Sequence, residues 1–334
     1  MTKILICYIT DDRRHFTFPH FINMLNNSLQ KQNWELLILT HSNDSDFYIE
    51  KLKKLETVDE VESTPPLLQN ITYNIININS NNSNNYMEKI NFAILYAEEK
   101  HIPFIMKCDN DIFLKSQTLD YMINNLELLN SSNNLTLGPV ITTGIPTIEY
   151  FKNNFFDMDS IEILNKLFLK TIFSNNNVAD YSHLNNYTIN SNNWDKEEFF
   201  NSVEKADYYY KGIHPIRLND EANDFVNNYV IENKSRFLKN YQLKIIDNDR
   251  SPYLCNNVFC IKTDIYKNIV NDNTLFVDYF DEVPINKYCW KNNMKHLFIE
   301  NGFAIHMYYN WRQNYIEYEK LFCDRFFGVA DEGI

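Results

Sequence analysis

The chain has 334 residues, 44% of them hydrophobic and 15% aromatic, which is enough to bury a substantial core. Its 31 Lys and Arg against 44 Asp and Glu give a formal net charge of −13, which disfavours nucleic acid as a partner. No apolar run approaches the ~20 residues of a transmembrane helix, and the apolar start Met1–Thr10 lacks a signal-peptide cleavage site.

The first 115 residues alternate between patterns typical of strands and patterns typical of helices. Strands are predicted at Lys3–Thr10, Trp34–Thr40, Ile71–Ile78 and Phe104–Cys108. Helices are predicted at Phe18–Lys31, Tyr48–Leu55 and Tyr86–Lys100. This alternation predicts an α/β fold with a mostly parallel, doubly wound sheet.

Polar loops follow three of these predicted strands, after Thr10, Thr40 and Cys108, and all are rich in Asp, Asn or Arg. In open parallel sheets the ligands bind beyond the carboxyl ends of the strands. We therefore expect the three loops to lie together at one edge of the sheet.

The pattern changes beyond the first 150 residues, which form the α/β half. Helical stretches and aromatic clusters alternate with Asn-rich loops in 151–250, most clearly from about Asp157, which suggests an insertion. In 251–334, strands are predicted at Asn257–Lys262 and Gly302–Tyr309.

The six cysteines are scattered and include no C-x-x-C pair, which argues against a zinc ribbon. Several lie in apolar, strand-like surroundings, so buried free thiols are expected. Free thiols fit a reducing compartment, and a cytoplasmic protein is the expectation.

The segment Asp109-Asn110-Asp111 carries two carboxylates directly after a predicted apolar strand. Hard oxygen ligands of this kind suit Mn²⁺ or Mg²⁺, which readily share their coordination with phosphate oxygens. A metal here would bridge a diphosphate and neutralise charge that builds on a leaving group. The alternative is an ordinary acidic turn.

At this motif the chain resembles the GT-A glycosyltransferases, nearest to the family-2-like members, over residues 3–115 and again over 252–310. The resemblance implies a Rossmann-like GT-A fold and a nucleoside-diphosphate-sugar donor, with UDP favoured. It implies that Asp111 ligates the metal and that Asp109 contacts the metal or the donor's ribose. On the same resemblance, 151–250 is the acceptor subdomain, and 251–334 holds acceptor-side strands, an acidic catalytic segment and a C-terminal lid.

The turn after the second strand departs from the family, which usually has an Asp-Asp-Gly-Ser-like sequence there. The chain instead reads Thr-His-Ser-Asn-Asp, so Asp44 is the candidate contact for the nucleobase. The first strand, where the family's nucleotide pocket opens, is followed by Asp11, Asp12, Arg13 and Arg14, and any one of these is a candidate donor contact.

A second acidic segment holds Asp281 and Glu282, with Pro284 expected to end any preceding helix. In inverting members of the family, a carboxylate near this point removes the proton of the acceptor hydroxyl. Asp281 is the preferred base, with Glu282 second. An N-capping acidic cluster at a helix start is the alternative.

Three further residues are candidates for the donor or metal site. His306 lies in a late strand, where many family members place an extra metal or phosphate ligand, although a core histidine is the alternative. Arg312 is a candidate phosphate clamp, against a solvated arginine. Arg217 lies in a basic cluster and either faces the diphosphate or pairs with nearby acidic residues.

These expectations describe a metal-dependent glycosyltransferase, expected to be inverting, that moves a sugar to a glycan or another hydroxyl acceptor. The alternative is a catalytically inactive GT-A-like protein that binds carbohydrate or acts as a scaffold. A phosphotransferase is disfavoured because the chain has no Gly-x-x-x-x-Gly-Lys-Ser/Thr motif.

Overall fold

The structure is a computed structural model, and the description below covers residues 3–10, 13–40, 45–56, 73–77, 86–144, 147–174, 216, 219–246, 254–275, 281–309 and 312–328. Within these ranges no helix is long and apolar enough to cross a membrane. The cysteines are all free and buried, as the sequence predicts.

The described residues form a single sheet of nine strands. The strands are β1 (Ile4–Ile9), β2 (Trp34–Thr40), β3 (Tyr73–Asn77), β4 (Phe104–Asp109), β5 (Ile112–Leu114), β6 (Asn134–Ile141), β7 (Lys244–Ile245), β8 (Val258–Lys262) and β9 (Lys295–His306).

The strand order is β3-β2-β1-β4-β8-β6-β9-β5, and β7 pairs with β9. Strands β1 to β4 are mutually parallel, β8 runs antiparallel between β4 and β6, and β6 and β9 are parallel. Strands β5 and β7 are antiparallel to β9. Six of the nine described strands therefore run in one direction, and the predicted α/β fold with a mostly parallel sheet is confirmed.

Helices connect the strands and cover both faces of the sheet. They are α1 (Phe18–Asn26), α2 (Ser45–Glu56), α3 (Tyr86–Glu99), α4 (Ser116–Asn124), α5 (Thr147–Phe155), α6 (Met158–Ser174), α7 (Asp220–Glu232), α8 (Lys234–Leu238), α9 (Thr263–Asn271), α10 (Glu282–Lys291) and α11 (Tyr315–Phe327).

Strand β1 shows why its sequence is apolar throughout. Alternate side chains point to opposite faces of a strand, and Ile4 and Ile6 pack in the core that contains α1, whereas Leu5 and Cys7 pack in the core that contains α3. A strand covered on both faces has no solvent side, so a continuous apolar run is required.

A third core, rich in aromatic residues, holds the helices of the predicted insertion. Phe155 of α5, Tyr229 of α7 and Phe237 of α8 pack there with Phe303 of β9 and Phe326 of α11. Ring pairs within it, such as Phe155 and Phe303 with centroids 5.5 Å apart, meet edge to face, an arrangement that aromatic rings favour. Residues from 151–250 therefore share one core with residues from 251–334.

Strand β9 begins at Lys295, seven residues before the predicted start at Gly302. The polar triplet from Glu300 to Gly302 suggests a turn, but the structure accommodates it as an irregularity in the pairing with β6. Asn301 adopts a φ of 60°, and a Cβ on Gly302 would lie 2.6 Å from Ile299 Cγ2, so this position requires glycine.

Helix α10 starts at Glu282, directly after Asp281, and contains Pro284. Pro284 lies in the first turn, where backbone N–H groups have no partner within the helix. The missing N–H of proline therefore costs nothing at this position.

Candidate functional site

The carboxyl ends of β1, β2 and β4 lie side by side, as the sequence predicts, since Ile9 is paired with both Leu39 and Asp109. The turn after β4 is tied to this edge by Asn110, which is buried and donates a hydrogen bond of 3.1 Å from Nδ2 to Thr10 Oγ1. The Asp109-Asn110-Asp111 segment is thereby held at the edge where α/β sheets bind ligands.

Asp109 is paired with a lysine of its own strand. Lys107 is fully buried, and its Nζ donates to Asp109 Oδ2 at 2.8 Å and to the carbonyl oxygen of Asn256. The same ammonium group lies 5.1 Å from the centre of the Tyr86 ring. The Asp109 N–H donates to the carbonyl oxygen of Asn257 at 2.9 Å, which fixes the end of β4 against the segment that leads into β8.

Asp281 belongs to the same buried network. Its side chain is inaccessible, and Oδ1 accepts hydrogen bonds from Tyr86 at 2.8 Å and from Asn256 Nδ2 at 2.5 Å. Its Oδ2 accepts from the Tyr266 hydroxyl at 2.5 Å. Glu282 is also buried, and its Oε2 lies 3.5 Å from the backbone nitrogen of Asn256. Neither carboxylate predicted as the base faces solvent in this structure.

The charges in this network shift one another's pKa values. Burial raises the pKa of Asp109 to about 7, against the lowering effect of Lys107. For Lys107, burial lowers the pKa, but the carboxylates of Asp109 and Asp281 more than offset this, so its pKa is raised and it stays charged.

Asp111 faces two cationic or potentially cationic groups. Its Oδ2 lies 3.7 Å from Arg14 Nη2 and 3.7 Å from His306 Nε2. Burial acts to raise the pKa of Asp111, but His306 and Arg14 outweigh it and hold that pKa below its usual range. Arg14 is itself held by Glu319, to which Nε and Nη2 donate at 2.6 and 2.8 Å.

His306 is brought to Asp111 by the sheet, because β5 and β9 pair Ile112 with His306. The ring is buried, and its Nδ1 lies 3.0 Å from Thr143 Oγ1. The N–H of Met307 donates to the carbonyl oxygen of Asp111 at 3.1 Å, which joins the two segments further.

Two buried oxygen atoms beside this histidine fit a metal. Asp111 Oδ1 and Asn257 Oδ1 are inaccessible and accept no hydrogen bond from the part of the chain that the structure describes. Buried polar atoms nearly always have a partner, so such exceptions indicate a missing ion or water. Carboxylate and amide oxygens with an imidazole nitrogen suit Mn²⁺ or Mg²⁺.

The predicted trio of Asp109, Asp111 and His306 is not assembled as a set of ligands. Within the described ranges, no group of three His, Cys, Asp or Glu side chains is arranged to hold a metal. Asp111 and His306 do lie together. Asp109 does not join them because its carboxylate forms an ion pair with Lys107.

The remaining candidates lie elsewhere or outside the described residues. Arg13 is exposed, with its guanidinium 5.6 Å from the centre of the Tyr315 ring. Arg312 donates from Nη1 and Nη2 to the carboxylate of Asp224 at 3.1 and 2.9 Å. The described residues do not include Asp11, Asp12, Asp44 or Arg217.

Sequence reasoning missed Lys107, Asn257, Thr143 and Glu319 as members of the site. Lys107 had a usable signal, because a lysine within the apolar strand Phe-Ile-Met-Lys-Cys must find a buried anion. The other three come from distant segments and carry no local pattern.

No family model and no curated protein sequence matches the chain. Among solved structures, it is similar to the mannosyltransferase PcManGT from Pyrobaculum calidifontis in complex with GDP-Man and Mn²⁺, at 7% identity and a TM-score of 0.44, covering 94% of this chain and 58% of that one. It is also similar to S. aureus TarS in complex with UDP-GlcNAc, at 13% identity and a TM-score of 0.31, covering 42% of this chain and 35% of that one. The chain spans less than two thirds of the length of either of these proteins. At these TM-scores the likeness assigns no activity to the chain.

Proposed function

We propose that the chain is a metal-dependent glycosyltransferase that binds a nucleoside-diphosphate sugar at the carboxyl edge of its sheet. The observation that carries this proposal is the Asp111 carboxylate. One of its oxygens is buried and has no partner among the described residues, and the other lies 3.7 Å from both His306 and Arg14. A diphosphate needs concentrated positive charge, which a divalent cation beside an arginine provides.

Asp111 and His306 would hold the Mn²⁺ or Mg²⁺ ion. When bound, the ion supplies positive charge that stabilises the departing nucleoside diphosphate. Arg14 lies beside Asp111, and Glu319 fixes its guanidinium in a two-point contact. Arg14 therefore offers a second, pre-positioned charge for the diphosphate. We keep UDP as the favoured nucleotide only on the resemblance of the sequence.

We assign Asp281 and Glu282 to positioning, not to proton transfer. Both oxygens of Asp281 already accept hydrogen bonds from neutral donors, and its side chain is inaccessible. A base must reach the proton that it removes. Asp109 retains 20% exposure of its side chain, which supports a contact between that carboxylate and the donor's ribose.

A groove between α7 and α11 is our candidate binding site for a hydroxylated acceptor. It has a volume of about 280 Å³, and its lining includes Tyr309, Tyr318, Asn227, Asn228 and Arg325. Aromatic faces with a few convergent amides and charges are the usual lining of small-molecule sites.

One observation favours a second candidate, a catalytically inactive GT-A-like protein that binds carbohydrate or acts as a scaffold. Neither acidic residue of the 281–282 segment is accessible. Such a protein would bind a nucleotide sugar with its metal but would not turn it over.

A thermal-shift panel of UDP- and GDP-sugars, with and without Mn²⁺, tests the proposal. We expect a donor to raise the Tm only when Mn²⁺ is present, and expect Asp111→Ala to remove the effect. Asp159→Ala, at an exposed position of α6, is the control and should behave as the unchanged chain. Equal stabilisation of Asp111→Ala, or no stabilisation by any donor, would contradict the proposal. Metal-dependent binding without turnover of any donor, measured as release of nucleoside diphosphate, would favour the inactive candidate.

A further inference from the structure

We propose that Asn257 is a third ligand of the metal and that Thr143 positions His306 through a hydrogen bond to Nδ1 of its ring. This inference rests on the metal site of the proposed function and adds two residues to it. Neither residue is acidic, so the proposed ligand set has one carboxylate, one amide oxygen and one imidazole.

The first step concerns the proton on His306. Thr143 Oγ1 lies 3.0 Å from His306 Nδ1 and 3.3 Å from the carbonyl oxygen of His306. A carbonyl oxygen can only accept, so the single hydroxyl proton of Thr143 goes to it. Thr143 Oγ1 then accepts from His306 Nδ1, which must carry a proton.

The consequence is that Nε2, which faces Asp111 at 3.7 Å, is the ring nitrogen that binds the cation, and any proton on Nε2 is released when the cation binds. This is the arrangement of metal-ligating histidines, whose second ring nitrogen donates a hydrogen bond that fixes the ring. Thr143 is fully buried, so water does not compete for its hydroxyl group. The hydroxyl therefore holds the ring with Nε2 towards Asp111.

The second step concerns the position of Asn257. Its carbonyl oxygen accepts the Asp109 N–H at 2.9 Å, so the backbone of Asn257 is fixed against the end of β4. Its Nδ2 lies 3.5 Å from His306 Nε2, and its Oδ1 is buried without a partner among the residues described. Nδ2 and Oδ1 are bonded to the same carbon, so a half-turn of the amide about its Cβ–Cγ bond brings Oδ1 to the position that Nδ2 holds beside His306.

The third step concerns charge and donor type. The Oδ2 atom of Asp111 faces Arg14 and His306, and the Oδ1 atom has no partner within the described ranges. A buried polar atom left without a partner costs about 1–3 kcal/mol. A cation that binds Asp111 and Asn257 through their Oδ1 atoms removes both penalties. Two oxygens and one nitrogen leave coordination positions for diphosphate oxygens.

The test is Mn²⁺ binding, followed by the EPR signal of the free ion, in the presence of UDP. We expect Asn257→Ala to weaken binding about tenfold or more, and Asn257→Asp to retain it because a carboxylate keeps the oxygen ligand. Asn134→Ala is the matched control, because Asn134 also has a buried Oδ1 without a partner in the described structure but lies at the start of β6. Unfolding curves in EDTA show whether each variant is folded.

We expect Thr143→Val to weaken Mn²⁺ binding by about 10–100-fold, because removing a hydrogen bond that supports a metal ligand usually has an effect of this size. Thr143→Ser keeps the hydroxyl group and should bind Mn²⁺ as tightly as the unchanged chain. In the metal-free chain, ¹H–¹⁵N spectra of the imidazole should show His306 protonated at Nδ1, and this form should lose its dominance in Thr143→Val.

Two outcomes separate this inference from the proposed function. If Asp111→Ala abolishes Mn²⁺ binding but folded Asn257→Ala binds as tightly as the unchanged chain, Asn257 is not a ligand and the proposed function survives. If the unchanged chain binds no Mn²⁺, both fail. A His306 ring without a proton on Nδ1 would overturn the role of Thr143.

Discussion

Asp109 and Asp111 are two residues apart in one turn, yet their surroundings are opposite. Asp109 is part of a closed network in which Lys107 and Asp281 also have their hydrogen bonds filled by neighbouring groups. Asp111 has a buried oxygen without a partner in the described structure and lies 3.7 Å from His306. The first arrangement is a structural ion network that leaves 20% of the Asp109 side chain exposed for a donor contact, and the second fits the binding of a cation.

The largest effect is expected from removing Lys107, the buried cation of the network around Asp109. We expect Lys107→Met to lower the free energy of unfolding by about 3–5 kcal/mol, because it leaves buried carboxylates uncompensated. The measurement is urea unfolding in EDTA. Lys291→Met, at an exposed position of α10, is the control and should change the free energy by no more than about 0.5 kcal/mol. A loss as small as that of the control would show that Lys107 is not the centre of the network.

Much of the α/β half could be predicted because its strands are buried on both faces. The predicted strand Trp34–Thr40 has the observed bounds, β1 is one residue shorter than predicted at each end, and β4 is one residue longer at its carboxyl end. An uninterrupted apolar run is a strong local signal, and the polar residue after it marks where the strand ends.

The partners of the site could not be predicted, because they depend on contacts between distant segments. Glu319 is 305 residues from Arg14, and Asn257 is one member of a very Asn-rich chain, in which no local pattern distinguishes it. The sequence shows an acidic motif and a late histidine. Only the pairing of β5 with β9 brings Asp111 and His306 together.

A smaller loss should follow removal of the second carboxylate of the closed network. We expect Asp281→Asn to cost about 1–3 kcal/mol of unfolding free energy, since an amide oxygen keeps one acceptor but the charge facing Lys107 is lost. Its Mn²⁺ affinity should stay unchanged. Asp111→Asn should show the reverse, with a cost of about 1 kcal/mol and a loss of Mn²⁺ binding. Loss of metal binding in folded Asp281→Asn would show that the two regions are one functional site.

The pH dependence of stability should separate the two aspartates. Because burial raises the pKa of Asp109 to about 7, the folded chain holds a proton between about pH 4 and 7 that the unfolded chain has released. The free energy of unfolding therefore falls as pH rises through this window, by at most about 1.4 kcal/mol per pH unit. Asp111 has a lowered pKa, so its contribution is present above about pH 4 and is lost on acidification.

We therefore expect Asp109→Asn to flatten the dependence between pH 5 and 7, and Asp111→Asn to leave it unchanged there. Urea unfolding at pH 5, 6 and 7 in EDTA measures both slopes. Equal flattening in the two variants would mean that the carboxyls titrate as one unit.

The smallest effect is expected at Arg312, which the sequence suggested as a phosphate clamp. Both terminal nitrogens of Arg312 donate to Asp224 on α7, and the Asp224 side chain is 42% exposed. Partly exposed pairs of this kind contribute about 0–1 kcal/mol, so Arg312→Gln should change the unfolding free energy by no more than that. Donor affinity in the presence of Mn²⁺, measured by calorimetry, should stay within about twofold of the unchanged chain, with Asp224→Asn as the matched control. A tenfold loss of donor affinity in Arg312→Gln but not in Asp224→Asn would show that the arginine leaves its partner and binds phosphate.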